Sequence, residues 1–355
     1  MKIPELDPPH LRQVLESLCQ IDGPTGLEHR VRAHLQETWA ERGVEPVADP
    51  VGNLLGRVGG SGPRVLLQAH MDEIGFLVRH ITDDGFLFLD SAQGGTRDRP
   101  ERRFMVGQAA HVHGRDGIVA SGVIAAPSGH VLTPPQAQKA MDFSDFFLDV
   151  GLESRAEAEA AGVHIGSPVV WESTTRLLGR RIVSRAIDDR VGLAAIELAL
   201  DWLDPQELTC ELWVGATVQE ENGIHGAKAM AAAERFDAVL AIDITLAGDT
   251  PAIDRTAVDN GLGEGPVVVH HDTHVAYNHD LAWALIDAGR AAGIPVQNGI
   301  FSNYGTDGIA FVDAGSPTVA LGPPTRYTHT ANEMVDARDV HGTAALLLAY
   351  ATTSR

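Results

Sequence analysis

The sequence predicts an α/β domain interrupted by an all-β insertion. Strand-like apolar runs and amphipathic helical patterns alternate over residues 1–72 and again over residues 174–355. Between them, residues 73–173 consist of short β-like runs separated by Gly, Asp and Pro turns, with one short helix. The chain has 355 residues, 44% of them apolar, which suffices for a large core and excludes global disorder.

The elements follow in order. Residues 10–20 and 27–42 read as helices; in the second, Leu27, Val31 and Leu35 recur at helical spacing with charges between them. Residues 47–49 and 53–58 read as a hairpin around Pro50-Val51-Gly52, and residues 65–69 as a buried strand running into His70. The insertion has strands at 75–82, 85–90, 108–113 and 117–124 and a helix at 155–161, with a mobile loop expected at 134–139. Beyond it come helices at 188–203, 222–234, 281–292 and 337–351. Strands are expected at 209–218, 238–243, 296–301 and 317–321. The sequence has no internal repeat and no low-complexity tract.

A net charge of −21 argues against nucleic acid and anionic membranes as partners. It suits cationic ligands such as peptide N-termini, and it also serves solubility. The two cysteines, Cys19 and Cys210, give no disulfide framework and fit a reducing cytoplasm. Residues 1–7 lack the apolar stretch of a signal peptide, and no apolar run approaches the ~20 residues that span a bilayer. A cytoplasmic location is therefore expected.

The chemistry centres on Glu220-Glu221, two adjacent carboxylates closing an apolar strand. Like charges there repel unless a cation compensates. Successive residues of extended chain point in opposite directions, so two roles are natural: one carboxylate for metal, the other for moving a proton from water to the leaving amine. His70, Asp188, Asp243 and His329 stand at comparable places, mostly strand ends, where α/β sheets bind ligands. Two histidines, a bridging carboxylate, two further carboxylates and a spare glutamate suit a pair of hydrolytic metal ions. In His70-Met71-Asp72 the two-residue spacing puts both side chains on one face, so Asp72 is placed to hold the second imidazole nitrogen. Asp188-Asp189-Arg190 precedes a helix, where an aspartate ordinarily caps; one carboxylate can cap while the other binds metal. Asp243 at a strand end and Asp307 before a helix also have capping as their ordinary use. The rival histidines are His111-x-His113 and the run His270-His271-Asp272-Thr273-His274, the latter a candidate to lie near substrate.

The ordered set His-x-Asp, Asp-Asp-Arg, Glu-Glu, Asp, His resembles the tetrahedral (TET) aminopeptidase family of dinuclear metallopeptidases, related to glutamyl aminopeptidases, over nearly the whole chain. The segments are Ala69-His70-Met71-Asp72-Glu73-Ile74-Gly75, Ala186-Ile187-Asp188-Asp189-Arg190, Val218-Gln219-Glu220-Glu221-Asn222-Gly223 and Arg326-Tyr327-Thr328-His329. Within the insertion, the runs around 146–151 and 162–166 are similar too. The resemblance implies a mixed sheet with helices on both faces and a small β-barrel-like insertion that mediates dimerisation, the dimers often building a dodecamer. It implies that Asp188 bridges two divalent ions, usually zinc or cobalt, with manganese also accommodated. His70 and Asp243 complete one ion, Glu221 and His329 the other; Glu220 is the general base and Asp72 orients His70. The substrates implied are short peptides with a free N-terminus.

The chain departs from the family where Tyr304-Gly305-Thr306-Asp307 replaces the usual Gly-Gly-Thr-Asp and where residues 298–303 carry no acidic residue. Tyr304, Thr306 and Asp307 are expected at the substrate pocket. The alternative is a related amidohydrolase that removes acyl groups from amino acids or small metabolites with the same ligands. A glycosidase is disfavoured: its paired carboxylates stand about 5–10 Å apart across a sugar, unlike adjacent glutamates. A homo-oligomer, from dimer to dodecamer, is expected also from Phe143, Phe146 and Phe147, read as exposed apolar residues of the insertion.

Overall fold

The computed structural model describes residues 2–93, 104–138 and 141–353. The chain divides into two units. One comprises the residues up to Glu73, Thr175–Thr328 and those from Asn332; the other comprises Ile74–Thr174 and His329–Ala331.

The first unit is built on an eight-stranded mixed sheet, ordered Val47–Ala48, Leu54–Gly59, Glu211–Thr217, Arg64–His70, Ala238–Ile242, Thr318–Gly322, Val267–His271 and Gln297–Ile300. The Arg64–His70 strand runs parallel to both Glu211–Thr217 and Ala238–Ile242, and the latter runs parallel to Thr318–Gly322. Alternation along Arg64–His70 sorts its side chains between two layers: Val65, Leu67 and Ala69 join the larger core, and Leu66 joins the smaller. The larger core takes in the helices Pro8–Cys19, His29–Glu41, Ile187–Trp202 and Ala337–Thr352. The smaller contains Met230 of His225–Ala233 and Phe311 of Gly308–Asp313. Helices thus cover both faces. Ile187–Trp202 is buried from Ile187 to Leu200, which is why its sequence is apolar nearly all round rather than striped.

A second, five-stranded sheet was not foreseen. It pairs Arg176–Leu178, Arg181–Ser184, Glu333–Asp336, Pro324–Arg326 and Thr245–Leu246. Its strands are only two to four residues long, too short for alternation to register. The strand Val267–His271 was also missed.

The second unit is a closed six-stranded barrel, ordered Phe76–Ile81, Leu87–Ser91, Phe147–Asp149, Ile118–Ala125, Ala109–His113 and Pro168–Trp171. Phe143 and Phe146 lie in its core instead of on its surface, with the Phe76 ring edge-on to Trp171 at 5.1 Å, and Phe147 is half-buried. The exposed apolar side chains of this unit are others, among them Val106, Ile118, Val123 and Ile165. Residues Pro134–Gln138, expected as a loop, form a short helix; Lys139 lies outside the described residues.

Candidate active site

Three parallel strands deliver the site. Thr217 stands beside His70 in the register, so His70, the turn after Thr217 and Asp243 all emerge at one edge of the sheet, at strand carboxyl ends. His70 is buried, with Nε2 3.1 Å from Asp188 Oδ1 and Nδ1 3.1 Å from the Asp72 carbonyl oxygen. Asp72 Oδ1 is 3.5 Å from Nδ1, so the backbone carbonyl oxygen and one carboxylate oxygen of Asp72 both face that nitrogen. Asp72 also accepts the amides of Glu220 at 2.9 Å and Glu221 at 3.2 Å, and the Thr25 hydroxyl at 2.9 Å.

Asp188 and Asp189 have non-helical backbone angles, so the regular helix starts after them. Asp189 accepts the amides of Gly192 and His70, doing the capping, while Asp188 faces the His70 ring. The Asp188 amide is itself held by Glu333 Oε2 at 3.0 Å. Beyond Val218 the chain turns sharply: Gln219 has φ 56°, and the Glu220 carbonyl accepts from both Gly223 and Ile224. The helix expected from 222 therefore begins at His225. His329 is half-buried with φ 61° and belongs to the three-residue segment grouped with the barrel.

Donor atoms of His70, Glu220 and Glu221 lie within 4.8 Å of one another, as do those of His70, Asp189 and Asp243. At about 5 Å and an effective dielectric of ~20, each pair of like charges repels by about 3 kcal/mol. Several such pairs would consume much of a domain's ~5–15 kcal/mol of stability. Burial and like charge act on the proton affinities of the cluster. Burial pushes Glu220 well up, with Glu221, Asp307 and Asp72 adding repulsion against the pull of His70. Burial, then Asp189 and Asp188, does the same to Asp243. Burial opposes charge on His70, but Asp188, Asp72, Glu220 and Asp243 together raise it well above its ordinary value. Divalent cations compete with protons for imidazole and carboxylate donors, and a set of N and O donors this close together fits divalent ions.

The three residues expected at the substrate pocket prove different in kind. Tyr304 is half-buried, donates its hydroxyl to the Ile244 carbonyl at 2.6 Å beside Asp243, and packs on Phe301. Thr306 is buried; its hydroxyl accepts the Gly308 amide and meets the Tyr277 hydroxyl at 3.0 Å. Asp307 makes no capping bond. It reaches into the sheet, accepting Gln68 Nε2 at 2.6 Å and the Thr217 hydroxyl, and burial raises its pKa to about 6. Gln68 and Thr217 are site-supporting residues that were overlooked; a glutamine inside the run Val65-Leu66-Leu67-Gln68-Ala69 was the available signal. Among the described residues, His111, His113 and the 270–274 histidines join no metal-holding cluster. His111 faces Glu172 at 3.4 Å, and His270 meets Asn298 at 2.8 Å.

An α/β domain with this acidic cluster at the carboxyl ends of parallel strands defines a metal-dependent hydrolase. The M42 glutamyl aminopeptidase family profile matches residues 52–346. The chain is 30% identical to the glutamyl aminopeptidase of Lactococcus lactis subsp. cremoris, over 96% of this chain and 95% of that one. It is 30% identical to the lysyl aminopeptidase of Pyrococcus furiosus, over 94% of each. Among solved structures, the TET1 peptidase of Pyrococcus horikoshii, described as able to assemble into a tetrahedron or a large octahedral shell, superposes with a TM-score of 0.85. That match has 32% identity, over 96% of this chain and 99% of that one. The chain belongs to the M42 glutamyl aminopeptidase family and is a metal-dependent hydrolase of N-terminal residues.

Proposed function

We propose that the protein releases N-terminal residues from short peptides, using two divalent ions, zinc or cobalt in the first place with manganese also suited. His70, Asp188 and Asp243 would hold one ion. Asp188 and Glu221 would hold the other with His329, which is assigned by its place in the ordered ligand set. Ions held there would supply Lewis acidity to a water and to the scissile carbonyl. Glu220 takes a proton from the attacking water and passes it to the leaving amine. Asp72 positions His70 through its contacts with Nδ1. Tyr304 borders the side-chain pocket, with Thr306 and Asp307 supporting it from behind. The observation that carries this reading is the convergence on buried His70 of two donor groups, one with Glu220 and Glu221 and one with Asp189 and Asp243, the donor atoms within each group lying within 4.8 Å of one another, with Asp188 Oδ1 3.1 Å from the His70 ring.

Residues 1–72 and 174–355 act as the catalytic domain and 73–173 as the oligomerisation domain of a homo-oligomer, from dimer to dodecamer. The barrel's exposed Val106, Ile118, Val123 and Ile165, and the assembly described for the TET1 peptidase, support this. A reducing cytoplasm suits two buried, unbridged cysteines. The described residues contain no helix long and apolar enough to cross a membrane. The reading is tested with amino-acid p-nitroanilides, each with and without an N-acetyl cap, given to protein reloaded with zinc, cobalt or manganese. Cleavage confined to uncapped substrates is expected; cleavage of capped ones would make the chain a deacylase.

A further inference from the structure

Glu28 occupies the N-cap position of the helix His29–Glu41 yet makes no capping hydrogen bond. Its Oε1 instead accepts the Gly26 amide at 2.8 Å and, from across the fold, the Gln219 amide at 3.2 Å. The side chain is 6% exposed, and it stays there although burial and nearby Asp72 both work against its charge. Three consecutive amides, those of Gln219, Glu220 and Glu221, thus meet carboxylate oxygens from two separate parts of the chain. Glu28 takes the first and Asp72 the second and third. The left-handed backbone at Gln219 is what lines up successive N–H groups into such an anion-holding nest. The segment carrying Glu28 also holds Asp72, since the Thr25 hydroxyl donates to it and the Thr25 amide donates to the Glu73 carbonyl.

We propose that Glu28 is a positioning residue of the catalytic turn: by holding the Gln219 amide it fixes the directions in which Glu220 and Glu221 leave the backbone. The inference rests on the roles given to those two glutamates above. Glu28 touches no reacting atom, and what the turn needs from it is an acceptor oxygen; glutamine offers the same Oε1.

The test uses the full-length chain stripped of metal, titrated calorimetrically with zinc and separately with cobalt, alongside kcat and KM on an uncapped amino-acid p-nitroanilide. Glu28→Ala is expected to weaken one of the two ions by about ten-fold or more and to lower kcat by a similar factor, with KM moving far less. Glu28→Gln is expected to rescue both. If Glu28→Ala does not fold, Glu28→Asp serves, because it keeps the charge but withdraws the oxygen from Gln219; it should show the same loss. The inference is overturned if the folded variants keep both ion affinities and kcat within about two-fold of wild type, or if Glu28→Gln loses as much as Glu28→Ala. Failure of the underlying assignment is separately visible: the wild-type chain would not take up two ions, and the inference would fall with it.

Discussion

Asp72 does more than lie beside the His70 imidazole. Its carboxylate takes two backbone amides and a hydroxyl while lying 3.5 Å from His70 Nδ1, and those contacts, with His70 foremost, hold its pKa below the ordinary value despite burial. Asp72→Asn would set an N–H against one of the two glutamate amides. We expect it to cost about 10- to 100-fold in ion affinity or turnover, measured by ion titration of the stripped protein and by kcat; wild-type values in both would contradict the role. The His70-x-Asp72 spacing was legible because two residues of extended chain share a face. Asp307 was expected at the substrate pocket with capping as its ordinary use, because an aspartate before a helix looks the same in sequence whether it caps or reaches into a sheet. The difference lies in Gln68 and Thr217, on strands far off in sequence.

At the scale of elements, the turn between Glu211–Thr217 and His225–Ala233 depends on a close approach of chain to chain. A Cβ at Gly226 would lie 2.3 Å from both the Val218 carbonyl oxygen and Asn53 Oδ1. The Gly226 amide donates to that same carbonyl, and Asn53 holds the Val218 amide. Gly226→Ala is therefore expected to destabilise by about 1–3 kcal/mol and to displace the Glu220 turn. Chemical denaturation and ion titration would read the two effects, and a variant equal to wild type in both would contradict the account. The strand ending at Thr217 was legible from its apolar run, but the helix start was misplaced by three residues. Asn222-Gly223 is itself a turn signal that the helix reading ran over, and the Glu220 carbonyl fixes these residues in a tight turn. The five-stranded sheet escaped notice for a different reason: its strands draw their stability from neighbours distant in sequence and are too short to show a period.

The whole molecule carries a net charge of −21, and within it burial and like charge raise the pKa values of Glu220 and Asp243. The raised pKa values of Glu220, Asp243 and Asp189 mean that the ion-free fold binds protons more tightly than the unfolded chain. Their contribution to ion-free stability is full below the ordinary carboxylate range near pH 4 and is lost as pH rises through the raised values. His70, also raised, adds a contribution that is full below its ordinary value and lost above its raised one. Ions bind the deprotonated cluster, so the gap in Tm between loaded and stripped protein should widen as pH rises from about 4 towards neutrality. Calorimetry across that range measures it, and a gap independent of pH would contradict the cluster as the ion site. Assembly belongs to this scale as well. Lysine at Ile118 and Val123 of the barrel should lower the oligomeric order seen by light scattering, while an unchanged mass would move the interface elsewhere. The α/β fold with a β-barrel was legible because the rhythm of the sequence changes from alternating helices and strands to short β-runs and back; which barrel side chains face outward was not, since closure of the strands decides it.

The most direct test of a two-ion aminopeptidase with Glu220 as base is the variant Glu220→Gln, assayed for bound divalent ions and for turnover of an uncapped amino-acid p-nitroanilide on the same sample. The account predicts two ions per chain, as in wild type, with kcat lowered by about 100- to 10,000-fold. Turnover near the wild-type rate with both ions in place would contradict it.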